Sequence, residues 1–264
     1  MIPERSLEYV KYKIQKSLKK WGLMGTVQVC ILKVWGRIRR SSPRHRRAKA
    51  MDRMFDRAHG VETECVIPPD DLDGSSSPQF RKGYQATPVL TLQLILNNLP
   101  IPYGDFVFVD VGCGMGRAVL LASQFPFKKI VGVECIPQLY RIAKQNVRNF
   151  RNGHQQCRDI ELVCMDAVEY EVPRQNAVFY LFNPFERPVL EKVLANIGRS
   201  LQDHPRSVLV AYYNAQHDLA EMAPFLSEVW RGETDYRFAV YRNREVRRSH
   251  VPTHTAGRGR HGSG

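Results

Sequence analysis

Residues 106–123 read FVFVDVGCGMGRAVLLAS, and this stretch decides the fold. Its first five residues predict a buried parallel strand that ends at Asp110, and a helix is expected to follow the turn. Between the two lie Gly112, Gly114 and Gly116, which let the backbone pass close to a ligand because glycine has no Cβ atom. The spacing D-x-G-x-G-x-G differs from the dinucleotide fingerprint G-x-G-x-x-G. The stretch predicts an α/β protein whose ligand lies beyond the carboxyl end of this strand.

Beyond this stretch the chain alternates between strand and helix patterns, as is typical of a parallel sheet with helices on both faces. Two further strands close the series. The sequence thus predicts a Rossmann-like, seven-stranded α/β sheet. The predicted strands are 106–110, 129–134, 160–164, 177–182, 207–213, 227–230 and 237–241, and the predicted helices between them are 137–150, 188–202 and 219–225.

One more helix is predicted just before the strand at 106–110. Thr87 is a good N-cap residue and Pro88 suits the first helical position, so the helix is expected to begin there. Leu90 and Leu94, with other apolar residues up to Leu99, are expected to form its buried face. In the simplest interpretation, Thr87 serves only as a cap.

The glycine turn resembles that of the class I methyltransferases that depend on S-adenosylmethionine. The segments D-V-G-C-G-x-G-R, V-G-V-E and Y-L-F-N-P-F end the first, second and fourth predicted strands, and they resemble uncharacterised bacterial-type members of this group. The likeness covers about residues 84–242. It implies a seven-stranded methyltransferase sheet with an antiparallel closing hairpin, S-adenosylmethionine as the cofactor, and transfer of its methyl group to an acceptor.

The resemblance also implies roles for three carboxylates at successive strand ends. Asp110 would bind the amino group of the cofactor's methionine part, which the glycine turn would line. Glu134, 18 residues beyond Gly116, would accept hydrogen bonds from both ribose hydroxyls. Asp166 would accept from the adenine amino group. As alternatives, Glu134 is an exposed acid at a strand end and Asp166 a turn residue.

A looser likeness links the chain to the histone-lysine methyltransferases that lack a SET domain. Those enzymes carry a tyrosine and a threonine three residues apart before the glycine strand, as Tyr84 and Thr87 stand here, and this implies that both lie across the mouth of the cofactor pocket. The chain departs from them at Cys113 in the glycine turn and at Pro184 after the fourth strand.

The methyl acceptor is expected at the end of the fourth strand, where Asn183, Pro184 and Phe185 follow one another. Proline removes a backbone donor and fixes the turn. Asn183 could then accept a hydrogen bond from an N–H group of the nucleophile, while Phe185 packs on the substrate. A protein amine or a small molecule is the favoured acceptor, and no metal is implied. The alternative is that these residues only start the next helix.

The chain is strongly basic at its N-terminus. Residues 1–57 carry 16 Lys/Arg against 4 Asp/Glu, a net charge of +12, whereas residues 58–264 carry 23 against 22. In this arm, basic helices are expected over 5–40 and a solvated basic segment over 37–49. Three interpretations are open: contact with an anionic membrane, contact with nucleic acid, or a helical cap on the domain. A cap is favoured. Deleting residues 1–57 is expected to leave cofactor binding intact but to abolish any attachment to anionic vesicles or nucleic acid. A truncated domain that fails to fold would favour the cap.

Composition predicts the remaining organisation. The 264 residues include six cysteines without metal-ligand spacing, and no apolar run approaches bilayer length, so a cytoplasmic protein is expected. A non-catalytic nucleotide-binding module, tethered to membrane or nucleic acid by its basic arm, is the rival functional hypothesis. The predicted divisions are a basic helical N-terminal arm (1–67), a linker (68–83), the S-adenosylmethionine-binding methyltransferase domain (84–243) and a disordered tail (244–264).

Overall fold

The computed structural model describes residues 43–68, 71–72 and 83–244. None of the helices in these ranges combines the length and the hydropathy needed to cross a membrane. The helices are α1 (Pro43–His59), α2 (Val89–Asn97), α3 (Arg117–Ala122), α4 (Pro137–Asn149), α5 (Arg187–Asp203) and α6 (Leu219–Met222), with a 3₁₀ turn over Tyr103–Asp105. The strands are β1 (Val66–Ile67), β2 (Tyr84–Gln85), β3 (Phe106–Val111), β4 (Lys129–Glu134), β5 (Ile160–Cys164), β6 (Asn176–Phe182), β7 (Val208–Tyr213), β8 (Leu226–Glu233) and β9 (Arg237–Asn243).

Seven of these strands form one sheet in the order β5-β4-β3-β6-β7-β9-β8. The first five strands of this order run parallel, and β9 lies antiparallel to both β7 and β8. The predicted Rossmann-like sheet with an antiparallel closing hairpin is thus confirmed. The strand order reverses at β3, whose neighbours are β4 and β6. The carboxyl ends of these three strands therefore enclose the crevice in which open α/β sheets bind their ligands.

Side chains on the parallel strands alternate between two apolar layers, as the period of a strand requires. Phe108 and Tyr180 pack on one face of the sheet with residues of α2 and α3. Val109 and Phe179 pack on the other face with α5. Because both faces are covered, the central strands are apolar throughout, and the polar groups concentrate at the strand ends.

Helix α2, which precedes β3, begins one residue later than predicted. Pro88 occupies the N-cap position in an extended conformation, and the N-cap side chain makes no capping hydrogen bond. The first N–H group, that of Val89, donates instead to Oδ1 of Asp52 at 2.9 Å. The prediction of Thr87 as the N-cap was wrong, because a carboxylate from α1 satisfies this donor.

The predicted buried face of α2 was wrong at Leu90 and Leu94, although the other apolar residues up to Leu99 include the buried ones. Leu90 and Leu94 are 42% and 41% exposed, whereas Leu92, Ile95 and Leu96 are fully buried. Both stripes are apolar and both recur at helical spacing, so periodicity alone does not distinguish them. Contacts with the sheet and with α1 select the stripe that faces inward.

The N-terminal segment that the structure describes packs against the sheet domain. Phe55 of α1 and the following Val61 are buried in the same apolar cluster as Leu92 and Phe150. In addition, β1 pairs antiparallel with β2, with Ile67 opposite Tyr84. This segment is a helical cap, and residues 43–49 of the predicted solvated run belong to α1. The basic helices expected over 5–40, most of the linker and the tail from 245 lie outside the described residues.

Candidate functional site

A tight turn joins β3 to α3 and carries the three glycines. Gly112, Gly114 and Gly116 have φ angles of 78°, 54° and 89°, in the left-handed region that favours glycine. A Cβ atom on Gly114 would lie 2.3 Å from Cε2 of Tyr84. The tyrosine ring therefore lies directly on the turn, and the turn requires glycine both for its conformation and for this contact.

Asp110, the penultimate residue of β3, is buried at 3% exposure. Its Oδ2 atom has no hydrogen-bond partner among the described residues. Burial, with a smaller effect from the neighbouring Glu134, raises the pKa of this carboxyl well above its usual range. A buried acceptor without a donor is costly in an isolated protein, so its environment suits a ligand that brings a donor or a positive charge.

Glu134, at the end of β4, supports the glycine turn. Its Oε2 accepts from the Gly114 N–H at 2.8 Å, and its Oε1 accepts from the Ile136 N–H at 2.8 Å. Burial raises the pKa of Glu134, and these backbone donors oppose the rise. Each carboxylate oxygen has a second acceptor position, so this side chain can hold the turn and still accept from a ligand.

Two asparagines follow the central strands in an unusual conformation. Among the residues that the structure describes, Asn183 after β6 (φ 41°) and Asn214 after β7 (φ 54°) are the non-glycine residues with positive φ. The hydroxyl of Tyr212 donates to Oδ1 of the buried Asn183 at 3.0 Å. Helix α5 begins at Arg187 with Glu186 as its N-cap, so Asn183 does not cap it. Left-handed backbone at non-glycine residues is held by its surroundings and is often found at functional sites.

One cavity at the carboxyl ends of the strands brings most of the predicted site residues together. Gly116 and Asp166 are not among its lining residues. Gly116 packs instead against Ala143 of α4, and Asp166 is exposed, with Oδ1 accepting from the Val168 N–H at 2.8 Å. The predicted residues that line the cavity are Tyr84, Thr87, Asp110, Gly112, Gly114, Glu134, Asn183 and Phe185.

Arg117, the first residue of α3, also lines this cavity, and the sequence interpretation missed its role. Its side chain is only 1% exposed. The guanidinium lies 3.0 Å from Glu64, 3.1 Å from Asp56 and 3.5 Å from Asp52. Its Nε also donates to Oγ1 of Thr63. A buried arginine thus joins the glycine turn to the N-terminal segment.

The sequence contained a signal for this network. Arg117 interrupts a run that is otherwise apolar, and Asp52 and Asp56 stand four residues apart in a basic segment. That spacing places both acids on one face of a helix. A buried cation and two acids on one helix face would together have predicted a contact between α1 and α3.

The residues present fit S-adenosylmethionine as the bound group. The unpartnered carboxylate oxygen of Asp110 suits a ligand with a cationic amino group, and Glu134 has acceptor positions for hydroxyl donors. Cβ atoms on Gly112 and Gly114 would clash with Pro184 and Tyr84, two other residues that line the cavity, so glycine keeps the turn close to them. S-adenosylmethionine offers both a cationic amino group and ribose hydroxyls, so its donors match the acceptors that line the cavity.

Comparison with known proteins agrees with this interpretation. Residues 108–204 match the family model of a methyltransferase domain. No sequence of a curated protein matches the chain significantly.

Similar solved structures include an RNA methyltransferase from Salinibacter ruber in complex with S-adenosyl-L-homocysteine, at 20% identity over 59% of this chain and 90% of that chain, with a TM-score of 0.41. A SAM-dependent methyltransferase from Aquifex aeolicus is 15% identical over 57% of this chain and 88% of its own, with a TM-score of 0.43. The magnesium protoporphyrin IX methyltransferase of Synechocystis, with bound SAM, is 15% identical over 58% of this chain and 74% of its own, with a TM-score of 0.40.

These structural likenesses are distant, so the assignment rests on other observations. The family match covers β3 to α5, the part of the chain that supplies the glycine turn and the carboxylates of Asp110 and Glu134. The strand order and the closing hairpin add the topology that the sequence resemblance implied. The chain therefore contains a methyltransferase domain with the class I topology, and it is an enzyme with S-adenosylmethionine as its methyl donor.

Proposed function

We propose that this enzyme methylates an amino nitrogen, carried by a protein side chain or by a small molecule. The observation that carries the proposal is the pair of left-handed asparagines, Asn183 and Asn214, at the ends of adjacent strands where both line the cavity. Amide side chains and turned backbone carbonyls offer acceptors that suit an N–H nucleophile. Hydrogen bonds to its N–H groups would orient the nitrogen lone pair.

Asn183 is the better placed of the two for this task. It is buried, and the donation from Tyr212 fixes the orientation of its side-chain amide. A carbonyl oxygen accepts in two positions, and an acceptor of this kind is what an N–H nucleophile requires. A positioning group that is fixed before the substrate binds loses little entropy during the reaction.

Aromatic side chains would form the wall around the amine. Phe185 is half-buried and lines the cavity beside Asn183. Phe182 also lines it and packs on Tyr213, with ring centroids 4.6 Å apart. A neutral amine is the nucleophilic form, and an apolar wall favours that form because burial disfavours the ammonium charge.

The bound cofactor would supply a methyl group carried on a sulfonium. The sulfur becomes a neutral thioether when the methyl group is transferred, which makes it a good leaving group. The residues of this chain need to bind the cofactor, hold the amine in line with the methyl carbon and exclude water. Asp110 and Glu134 serve the first task, and Asn183 and Phe185 the second. The amine proton is left to solvent or buffer after transfer.

A labelling experiment tests the acceptor. The enzyme is incubated with S-adenosylmethionine that is tritiated in the methyl group and with fractionated cell extract; a parallel reaction contains excess S-adenosylhomocysteine. We expect enzyme-dependent label that survives acid hydrolysis as an N-methylated amine, in a protein or a small-molecule fraction. Label that is released as methanol by mild base, or label in nucleic acid, would contradict the proposal.

The cofactor role proposed for Asp110 predicts a pH dependence. Burial raises the pKa of this carboxyl in the isolated protein, whereas the cationic amino group of a bound cofactor would favour the carboxylate and lower it. Binding should then release protons, and affinity for S-adenosylhomocysteine should rise with pH between about pH 4 and 7, below the titration of an α-amino group. Calorimetry in two buffers of different ionisation enthalpy measures this release.

The pKa of Glu134 is raised as well, so variants must separate the two carboxyls. Asp110→Asn should weaken binding and remove most of the pH dependence, whereas Glu134→Gln should weaken binding and retain it. A wild-type affinity that does not change with pH would refute the role of Asp110.

A further inference from the structure

The N-terminal segment reaches the cofactor cavity through a residue that does not line it. Thr63 follows α1 and is fully buried. Its carbonyl oxygen accepts from the hydroxyl of Tyr84 at 2.9 Å. The Tyr84 ring, in turn, lies on Gly114, close enough to exclude a Cβ atom there. A continuous series of contacts therefore joins Thr63 to the glycine turn.

Thr63 is itself held by three hydrogen bonds. Its N–H and its hydroxyl both donate to the carboxylate of Asp56, and its Oγ1 accepts from Nε of Arg117. Arg117 is only 1% exposed. Because unpaired buried charges are costly, these groups have little freedom to move apart. The position of the Thr63 carbonyl is thereby fixed.

A second connection runs from the same cluster toward Thr87, another residue that lines the cavity. Nη1 of Arg117 lies 3.5 Å from Oδ1 of Asp52. That same oxygen accepts from the Val89 N–H at the start of α2, two residues after Thr87. Both walls that Tyr84 and Thr87 contribute are thus tied to one buried cluster.

From these contacts we propose that Thr63 and Arg117 are positioning residues for the cofactor site, and that the N-terminal segment sets cofactor affinity through Tyr84. The segment is then part of the cofactor site, although Thr63 does not line the cavity. This proposal concerns the methyl donor and does not depend on the acceptor proposed above.

The first test replaces Thr63 by valine in the full chain. Thr63→Val keeps the carbonyl but removes the hydroxyl that bonds Arg117 and Asp56. We expect the dissociation constant for S-adenosylhomocysteine, measured by calorimetry, to rise about 3- to 10-fold. The matched control is Thr91→Val, since Thr91 is also buried and its hydroxyl bonds Thr234 at 2.9 Å, outside the cavity.

The second test removes the next contact in the series. Tyr84→Phe deletes the hydroxyl that bonds Thr63 and leaves the ring on the turn. We expect a similar rise in the dissociation constant. Its control is Tyr103→Phe, because the Tyr103 hydroxyl likewise donates to a backbone carbonyl, that of Leu96, away from the cavity.

Melting temperatures separate positioning from stability. Both controls should lower the melting temperature but leave the dissociation constant unchanged. The proposal is overturned if Thr63→Val and Tyr84→Phe bind S-adenosylhomocysteine as the wild type does, or if the controls weaken binding to the same extent. Should Thr63→Val fail to fold, Tyr84→Phe with its control decides alone.

Discussion

Replacing Arg117 by methionine is expected to lower the free energy of unfolding by about 3–5 kcal/mol. Methionine approximates the volume of the arginine stem but removes the cation that Asp52, Asp56 and Glu64 share. Lys49, 3.8 Å from Asp52 and 3.4 Å from Glu64, remains as a partly exposed and weaker partner. Asp52 is only 2% exposed, so water cannot replace the lost partner. Removing one member of a buried ion network destabilises a protein by more than the net stabilisation that the intact network provides, because a buried charge is left without its main partner.

The chain offers a control with the same chemistry at the surface. Arg187 pairs with Glu191 at 2.8 Å, but the two side chains are 62% and 48% exposed. Arg187→Met should therefore cost only about 0.3–0.5 kcal/mol. Urea unfolding of both variants measures the difference. Equal and small losses would mean that the buried network contributes no more than a surface pair.

The loss at Arg117 should also depend on pH. Burial raises the pKa of Asp52, and Arg117 opposes that rise. In Arg117→Met the folded-state pKa of Asp52 should rise further above its unfolded value. An acid of this kind is destabilising once the pH exceeds its unfolded pKa, so the deficit should be larger at neutral pH than near pH 4. A deficit that is constant over this range would exclude Asp52 from the network.

This network also changes the expectation for N-terminal truncation. Deleting residues 1–57 would remove Asp52 and Asp56 and leave Arg117 buried with fewer partners. From the sequence, a cap was favoured, but residues 1–67 were predicted to be an arm outside the methyltransferase domain. A count of charges gives the excess of basic residues but does not show which acidic side chains are buried. The structure places the described part, Pro43–Ile67, on the domain. The separate expectation that cofactor binding survives this deletion therefore loses its basis.

The central sheet could be predicted because its signals are local. Apolar runs bounded by turn residues define β3 to β7, and the glycine turn identifies the strand at which the order reverses. Asp110 and Glu134 were also within reach, since the ends of parallel strands meet at one edge of a sheet. For the same reason Asn183 was expected near them, and all three line the cavity.

The features that escaped prediction depend on long-range pairing. The start of α2 is set by Asp52, 37 residues before Val89, and the inward stripe of that helix is set by what packs on it. Asp166 follows its strand as expected; its carboxylate is exposed and accepts from the Val168 N–H, and its role toward the adenine stays a prediction. No local pattern distinguishes a turn-capping carboxylate from one that faces a ligand.

Asn183→Ala is expected to reduce turnover by ~10²-fold or more once the acceptor is known, the scale typical of a lost positioning group. Affinity for S-adenosylhomocysteine should change little, because the carboxylates proposed to bind the cofactor stand on β3 and β4. The matched control is Asn176→Ala, which removes the same side chain from the opposite end of β6, where its Oδ1 accepts from the Ser207 N–H at 3.0 Å. That variant should retain full turnover.

The backbone of Asn183 requires a second variant, because φ at this position is 41° and alanine adopts that region only with strain. Asn183→Gly relieves the strain while still removing the amide. If the amide positions the amine, the glycine and alanine variants should lose turnover to the same extent. If Asn183→Gly turns over like the wild type, the left-handed turn is the feature that matters, and the nitrogen must be oriented by backbone carbonyls at this strand end.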